Sequence, residues 1–341
     1  MNAHPQPARP SAPVNLAPPS WKAELADAVS DPAELCELLT LDGEDADALR
    51  AACAGFALRV PRAFVARMER GNPHDPLLRQ VLPDTAELIT TPHYSTDPLG
   101  ETDATALPGL LHKYGNRVLL TLTGSCAVHC RYCFRRHFAY DDHRLDATAW
   151  QALTDYLRHH TDITEVILSG GDPLNVPDSA LSQRVAALAE IPHVTRLRLH
   201  TRNPVVLPSR VDARLLDWLG ATRLDTVMVI HANHANELDE SVEHAMRSIA
   251  ATGTTLLNQS VLLRGVNDTA DRLVALSERL FACGVLPYYL HLPDKVQGTA
   301  HFHVSDDEAK RLKAEMQARL PGYLVPRLAR EVAGEASKRV L

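Results

Sequence analysis

Long apolar runs are missing from this 341-residue chain; none approaches the roughly 20 residues that a membrane helix needs. Excess positive charge is missing too. The 35 Lys and Arg are outnumbered by 42 Asp and Glu, for a net charge of −7. That balance argues against nucleic acid or an anionic membrane surface as the main partner. The opening stretch, MNAHPQPARPSAPVNLAPPS, has no apolar core segment, so it does not read as a secretory signal. Its prolines and alanines bury little surface, and a disordered or extended tail is expected over residues 1–20. Cysteine is sparse, with six in the whole chain. Six cysteines in so large a chain, with no signal, do not suggest a disulfide framework. They point to a reducing cytoplasm, where clustered thiols serve metal or redox chemistry.

Apolar residues are plentiful, at 45% of the chain, enough for one large domain with a smaller appendage. Residues 21–105 read as a helical N-terminal region. WKAELADAV and DPAELCELL carry apolar residues at helical spacing, with Asp31 as N-cap and Pro32 at the first helical position. DGEDADALRAACAGFALRVP reads as a further helical segment ending near Pro61. This region holds no catalytic constellation and is expected to pack on the main domain.

From residue 106 short β-branched and leucine runs alternate with helical patterns. Strands are expected at Arg117–Thr123, Glu165–Ser169, Val194–His200, Thr226–His231, Thr255–Leu262 and Leu286–His291. Helices are expected near 146–160, 178–190, 211–219, 237–251, 269–282 and 305–318. This rhythm implies parallel strands joined by right-handed crossovers. The resulting α/β fold is either an open doubly wound sheet or a curved partial barrel, and both carry their chemistry at the carboxyl ends of the strands. The chemically interesting residues cluster there: Cys126, Gly170-Gly171-Asp172, His200, His231, His291 and Asp294.

The stretch GSCAVHCRYCFRRHF places Cys126, Cys130 and Cys133 on one loop after the first of these strands. Three soft thiolates select iron–sulfur, zinc or copper(I). A [4Fe–4S] cluster normally takes four cysteines, so three would leave one iron open. A zinc knuckle completed by His129, His137 or Cys283 is the alternative. Arg131, Arg135 and Arg136 either offset the charge of such a centre or face solvent. In LSGGDPL, Gly170 and Gly171 permit close backbone approach to a ligand, and Asp172-Pro173 makes a turn.

Cys-x3-Cys-x2-Cys with Tyr132 before the last cysteine resembles the radical S-adenosylmethionine superfamily. The resemblance narrows to the lysine 2,3-aminomutase family through segments in the same order over residues 90–341. These include KYGNRVLLTLTGSCAVHCRYCFRRHF, VILSGGDPL, RLHTRNPVVLP, HANHANEL, LLNQSVLLRGVND, LPYYLHLPDKVQGTAHF and GYLVPRLAREVAGEASK. It looks most like the short subgroup that forms (R)-β-lysine for modification of elongation factor P. The resemblance implies a partial (βα)6 barrel over residues 106–341. It implies a [4Fe–4S] cluster on Cys126, Cys130 and Cys133, whose open iron is chelated by S-adenosylmethionine, with Gly170, Gly171, Asp172, His231 and Gln259 near that cofactor. It also implies pyridoxal 5′-phosphate held by Lys338, with its phosphate toward Lys113, Tyr114 and Arg117. Lys113 stands where longer relatives have arginine, and AGEASK replaces a glycine-rich run.

By the same resemblance, free L-lysine is the substrate, with Arg135 on its carboxylate and Asp294 and Glu331 on its ε-ammonium. Glu331 stands where longer relatives have aspartate, and the cysteine set that binds zinc in them is absent, so no structural zinc is expected. Cys36, Cys53 and Cys283 read as core or surface thiols. The implied partners are an electron donor such as flavodoxin or ferredoxin and, through the product, elongation factor P and its β-lysine ligase. A homo-oligomer is expected. A related aminomutase acting on glutamate or arginine is the competing reading. A zinc-bound interaction module is the non-enzymatic one.

Overall fold

The computed structural model describes residues 20–41, 43, 45–143, 145–335 and 337–341. The proline-rich tail expected over 1–20 thus lies, but for Ser20, outside the described residues. A ten-stranded sheet runs in strict sequence order. Its strands are β1 (Thr105–Leu107), β2 (Leu110–Tyr114), β3 (Arg117–Thr121), β4 (Glu165–Ser169), β5 (Arg196–Thr201), β6 (Asp225–Ile230), β7 (Thr255–Val261), β8 (Leu286–His291), β9 (Arg327–Arg330) and β10 (Arg339–Val340). Strands β3 through β9 are parallel, while β1–β2–β3 and β9–β10 pair antiparallel.

Strand order decides between the two architectures. A doubly wound sheet reverses direction at a switch point. Here each strand adds on the same side, as in a barrel, and among the described residues β1 and β10 do not pair. The fold is the α/β partial barrel. The parallel series has one strand more than the sequence suggests: β9, RLAR, is too short and too charged to stand out.

Helices cover the outside. They are α1 (Trp21–Ala26), α2 (Pro32–Leu38), α3 (Ala46–Cys53), α4 (Arg62–Val65), α5 (Ala147–His159), α6 (Asp178–Ala189), α7 (Asn203–Val206), α8 (Ala213–Ala221), α9 (Glu240–Ala250), α10 (Ala270–Ala282) and α11 (Asp306–Arg319). Side chains cap most of the crossover helices: Asp146, Asp212, Asp239, Thr269 and Ser305 each accept a first-turn N–H. Asp31 caps α2 with Pro32 at its start, as the sequence suggests. Strand β4 is buried along its whole length, whereas β5 alternates, as strands of a layered barrel do. The main core lies between sheet and helices.

A second core joins α1, α2 and α4 to Ala127 and Val128 of the cysteine loop and to Val206 and Leu207 beyond β5. The N-terminal region is therefore part of the wall behind that loop.

Candidate active site

Cys126, Cys130 and Cys133 lie on the loop that leaves the carboxyl end of β3. Much of the grip on this loop comes from the N-terminal region. The amide of His129 donates to the Arg59 carbonyl at 2.9 Å, and that of Arg131 to the Gln80 carbonyl at 2.9 Å. Arg131 is 0% exposed. Its Nε donates to Glu87 at 2.7 Å and its Nη1 to the Phe56 carbonyl at 2.7 Å. Arg136 Nη2 reaches the same Glu87 carboxylate at 2.7 Å. Both arginines are buried structural cations, not solvent-facing ones.

Burial pushes the Cys126 and Cys133 thiols up, Cys133 to about 12, and the neighbouring cysteines add to it by like-charge repulsion. Such a crowded thiolate set calls for a cationic centre. Among the described residues no three His, Cys, Asp or Glu side chains converge on a single-ion position. The zinc completions fare poorly. His129 and His137 each turn a ring nitrogen to a backbone carbonyl. Cys283 caps α10 ahead of β8, at the opposite end of the barrel. Three soft thiols with guanidinium groups around them fit an iron–sulfur cluster.

The glycine loop packs directly on the start of the cysteine loop. A Cβ on Gly170, where φ is +114°, would lie 2.6 Å from the Thr123 oxygen; one on Gly171 would lie 2.6 Å from the Ser125 oxygen. The amides of Gly171 and Asp172 donate to those same carbonyls at 2.7 and 2.9 Å. The Asp172 side chain is engaged within the protein. Its carboxylate is buried and accepts from Thr201 Oγ1 at 2.7 Å and from the amides of Arg202, Leu174 and Asn203 at 2.8, 2.9 and 3.1 Å. It ties β4 to β5, and the loop is left to offer a ligand mainly its backbone.

Inside the barrel mouth stand three half-buried imidazoles, His200, His231 and His291. Burial, with nearby cations, lowers His231 and His291 to about 3 and His200 well below its usual range. All three are neutral at pH 7, and the Lys338 charge contributes to each shift. Gln259 Nε2 and His231 Nε2 are 3.0 Å apart, so the structure brings this expected pair together.

The C-terminal lysine is ordered by the barrel itself. Strand β10 pairs with β9 so that Arg339 lies opposite Arg330. Lys338 thereby meets Glu331, with Nζ to Oε2 at 2.7 Å. From there a line of alternating charge crosses the site. Lys113 Nζ donates to Glu331 at 3.1 Å and lies 3.4 Å from Glu101. Glu101, 4% exposed, receives Arg135 Nε at 2.6 Å and Nη2 at 2.8 Å. Arg135 Nη1 then reaches Ser169 Oγ and the Gly170 carbonyl, both at 3.2 Å. Lys338, Glu331, Lys113, Glu101 and Arg135 thus connect the terminal lysine to the glycine loop. Sequence reasoning misses Glu101, which sits in DPLGETD with no local pattern to mark it.

Several of the expected groups already have partners within the protein. Arg135, expected to hold a substrate carboxylate in a bidentate fork, already has one edge on Glu101. The expected cradle of Lys113, Tyr114 and Arg117 divides. Arg117 stacks on Tyr114, 4.3 Å from its ring, while Lys113 joins the charge line.

The two carboxylates near Lys338 have opposite character. Burial, then the Glu331 charge, lifts Asp294 to about 7. Burial would lift Glu331 as well, but Lys338 and Lys113 bring it down to about 2. Separated acidities of this kind mark carboxyl groups with different tasks.

A family profile described as "4Fe-4S single cluster domain" matches residues 112–195. L-lysine 2,3-aminomutase of Escherichia coli (strain K12) is 52% identical over 332 residues, covering 96% of this chain and 97% of that protein. The enzyme of the same name from Clostridium subterminale is 32% identical over 319 residues, covering 93% of this chain and 76% of its own. Among solved structures, a radical SAM methyltransferase from Sphaerobacter thermophilus aligns with a TM-score of 0.44 and 16% identity over 65% of this chain and 68% of its own.

Proposed function

This chain belongs to the lysine 2,3-aminomutase family of radical S-adenosylmethionine enzymes, and from that premise we propose that it converts L-α-lysine to β-lysine. The observation that carries the substrate is that the site already grips a lysine side chain, its own. Glu331 holds the Lys338 ammonium at 2.7 Å, with the Asp294 carboxyl in the same field. Once Lys338 is committed to a cofactor, those acids are left facing a free ε-ammonium. A glutamate substrate would bring a third carboxylate to the same place, and arginine would need a longer pocket.

Cys126, Cys130 and Cys133 would hold the [4Fe–4S] cluster, and the backbone of Gly170 and Gly171, with His231 and Gln259, would border S-adenosylmethionine. Lys338 would hold pyridoxal phosphate, with Tyr114 and Arg117 toward its phosphate. When bound, these groups supply a hydrogen-abstracting radical and a conjugated system that delocalises the unpaired electron. The protein's own work is binding and exclusion of water. Lys338 must lose a proton from Nζ before it can bond to carbon, and the ion pair with Glu331 holds its ammonium form before the cofactor binds. Neutral imidazoles around Lys338 add no competing charge. Arg135 keeps only the donors not engaged by Glu101, Ser169 and Gly170 for a substrate carboxylate.

The reading extends to the (R) hand, to supply of β-lysine for elongation factor P through a separate ligase, to a cytoplasmic setting and to a low-potential donor such as flavodoxin or ferredoxin. Its support is the short-subgroup resemblance and the near-complete coverage of the Escherichia coli enzyme. The test is anaerobic reconstitution with iron, sulfide and pyridoxal phosphate, then incubation with lysine, S-adenosylmethionine and dithionite. Chiral chromatography should find (R)-β-lysine. Cleavage of S-adenosylmethionine without β-lysine would overturn the substrate, and the (S) product would detach the elongation factor P link. Lys338→Ala should lose the absorbance of lysine-bound pyridoxal phosphate together with turnover; normal turnover by that variant would remove Lys338 from its role.

A further inference from the structure

One buried cation touches the cysteine set directly and has no part in the reading so far. Arg202 follows β5 and is 6% exposed. Its Nη1 donates to Cys130 Sγ at 2.8 Å. Its Nη2 donates to Gln80 Oε1 at 2.6 Å and to Glu237 Oε2 at 3.0 Å. Those acceptors are themselves fixed. Gln80 Nε2 donates to Glu237 Oε1 at 3.0 Å, and the amides of Asn233 and His234 donate to that oxygen at 2.8 and 3.0 Å. Asn233 Nδ2 reaches Gln80 Oε1 at 2.9 Å and the Tyr132 hydroxyl at 2.7 Å. The backbone amide of Arg202 donates to Asp172 at 2.8 Å. One residue therefore joins the glycine loop, the cysteine loop and the N-terminal region.

A guanidinium held this firmly, with one N–H aimed at sulfur, is more than packing needs. Glu237 alone would satisfy its charge. We propose that Arg202 is a positioning residue of the iron–sulfur cluster. Its Nη1–H bonds the Cys130 sulfur and raises the cluster's reduction potential, while Glu237 and Gln80 fix the direction of that bond. Reduction adds one electron, supplied in the assay by dithionite, and makes the cluster more negative. A hydrogen bond to a ligand sulfur, given by a cation in a low-dielectric site, stabilises the reduced form more than the oxidised one. Glu237 offsets part of the positive charge and leaves the N–H toward sulfur in place.

The proposal rests on the radical S-adenosylmethionine part of the reading and not on the amino acid. Protein that binds iron and sulfide but forms no β-lysine still tests it. The first experiment is an EPR-monitored redox titration of reconstituted wild type, Arg202→Lys and Arg202→Gln, each with iron and sulfide quantified. R202Q should lose at least a factor of ten in the equilibrium constant for one-electron reduction, ~59 mV toward lower potential. R202K, which keeps the charge and loses the fork, should fall between it and wild type. Wild-type potentials in both variants at full loading would overturn the proposal, since a purely structural role does not order potentials by charge and hydrogen bonding. A second measurement needs no variant. Wild-type protein labelled with 15N-arginine should show 15N hyperfine coupling to the reduced cluster, and absence of that coupling would overturn the proposal even if neither variant loads iron.

Discussion

Asp294 and Glu331 show how two acids of one site divide their work. Glu331, at about 2, is ionised through the whole working range, while Asp294, at about 7, changes charge within it. An ammonium ligand gains from Asp294 only when that group is ionised. The kcat/KM for lysine, which reports the free enzyme, should therefore rise as pH increases through about 7. Asp294→Asn should stay low and lose that rise. A D294N profile that keeps the wild-type limb would assign the titration to another group. Lys113 illustrates a different point. This compact ammonium sits between two carboxylates, at 3.1 and 3.4 Å. A point charge suits that position, because it needs no fixed fork.

The decisive contact between elements is the one between the N-terminal region and the cysteine loop. Glu87 is the only carboxylate among the described residues that pairs with both Arg131 and Arg136. Glu87→Ala would leave two buried guanidinium groups without their counter-charge, at a cost of about 3–5 kcal/mol. The expected result is a lower denaturation midpoint together with fewer irons per chain after reconstitution. Iron loading equal to wild type would mean that the barrel alone shapes the cysteine loop. The β9–β10 hairpin matters in a similar way at the other end of the chain. Its register sets Lys338 against Glu331, and the Leu341 amide closes it on the Leu328 carbonyl at 2.9 Å.

Across the whole molecule, the cluster loop is where barrel and N-terminal region meet, through a shared apolar core and the Glu87 and Arg202 networks. A group that binds only when Cys126, Cys130 and Cys133 are gathered by the fold stabilises all that gathers them. In an anaerobic melt, iron- and sulfide-loaded protein should unfold at higher temperature than the same protein after chelation, by about 1.4 °C per kcal/mol of linkage in a chain of this length. Coincident melting curves would mean that the loop holds its shape without help from the centre it binds.

The sequence alone determined what depends on local pattern. Strand and helix alternation is a short-range signal, so six parallel strands and their crossover helices could be read from it, along with the cap at Asp31. Cysteine spacing and the Gly-Gly pair are local too, and they were enough to suggest a thiolate-bound centre beside a ligand loop. Only the tertiary structure decided the rest, because burial and partnership are long-range properties. It made Glu101 the clamp on Arg135, and Asp172 a tie between β4 and β5. It made an apparent helical appendage the wall of the cluster site. It set the terminal Lys338 against Glu331 through a strand pairing that two residues, Arg339 and Val340, are too few to announce.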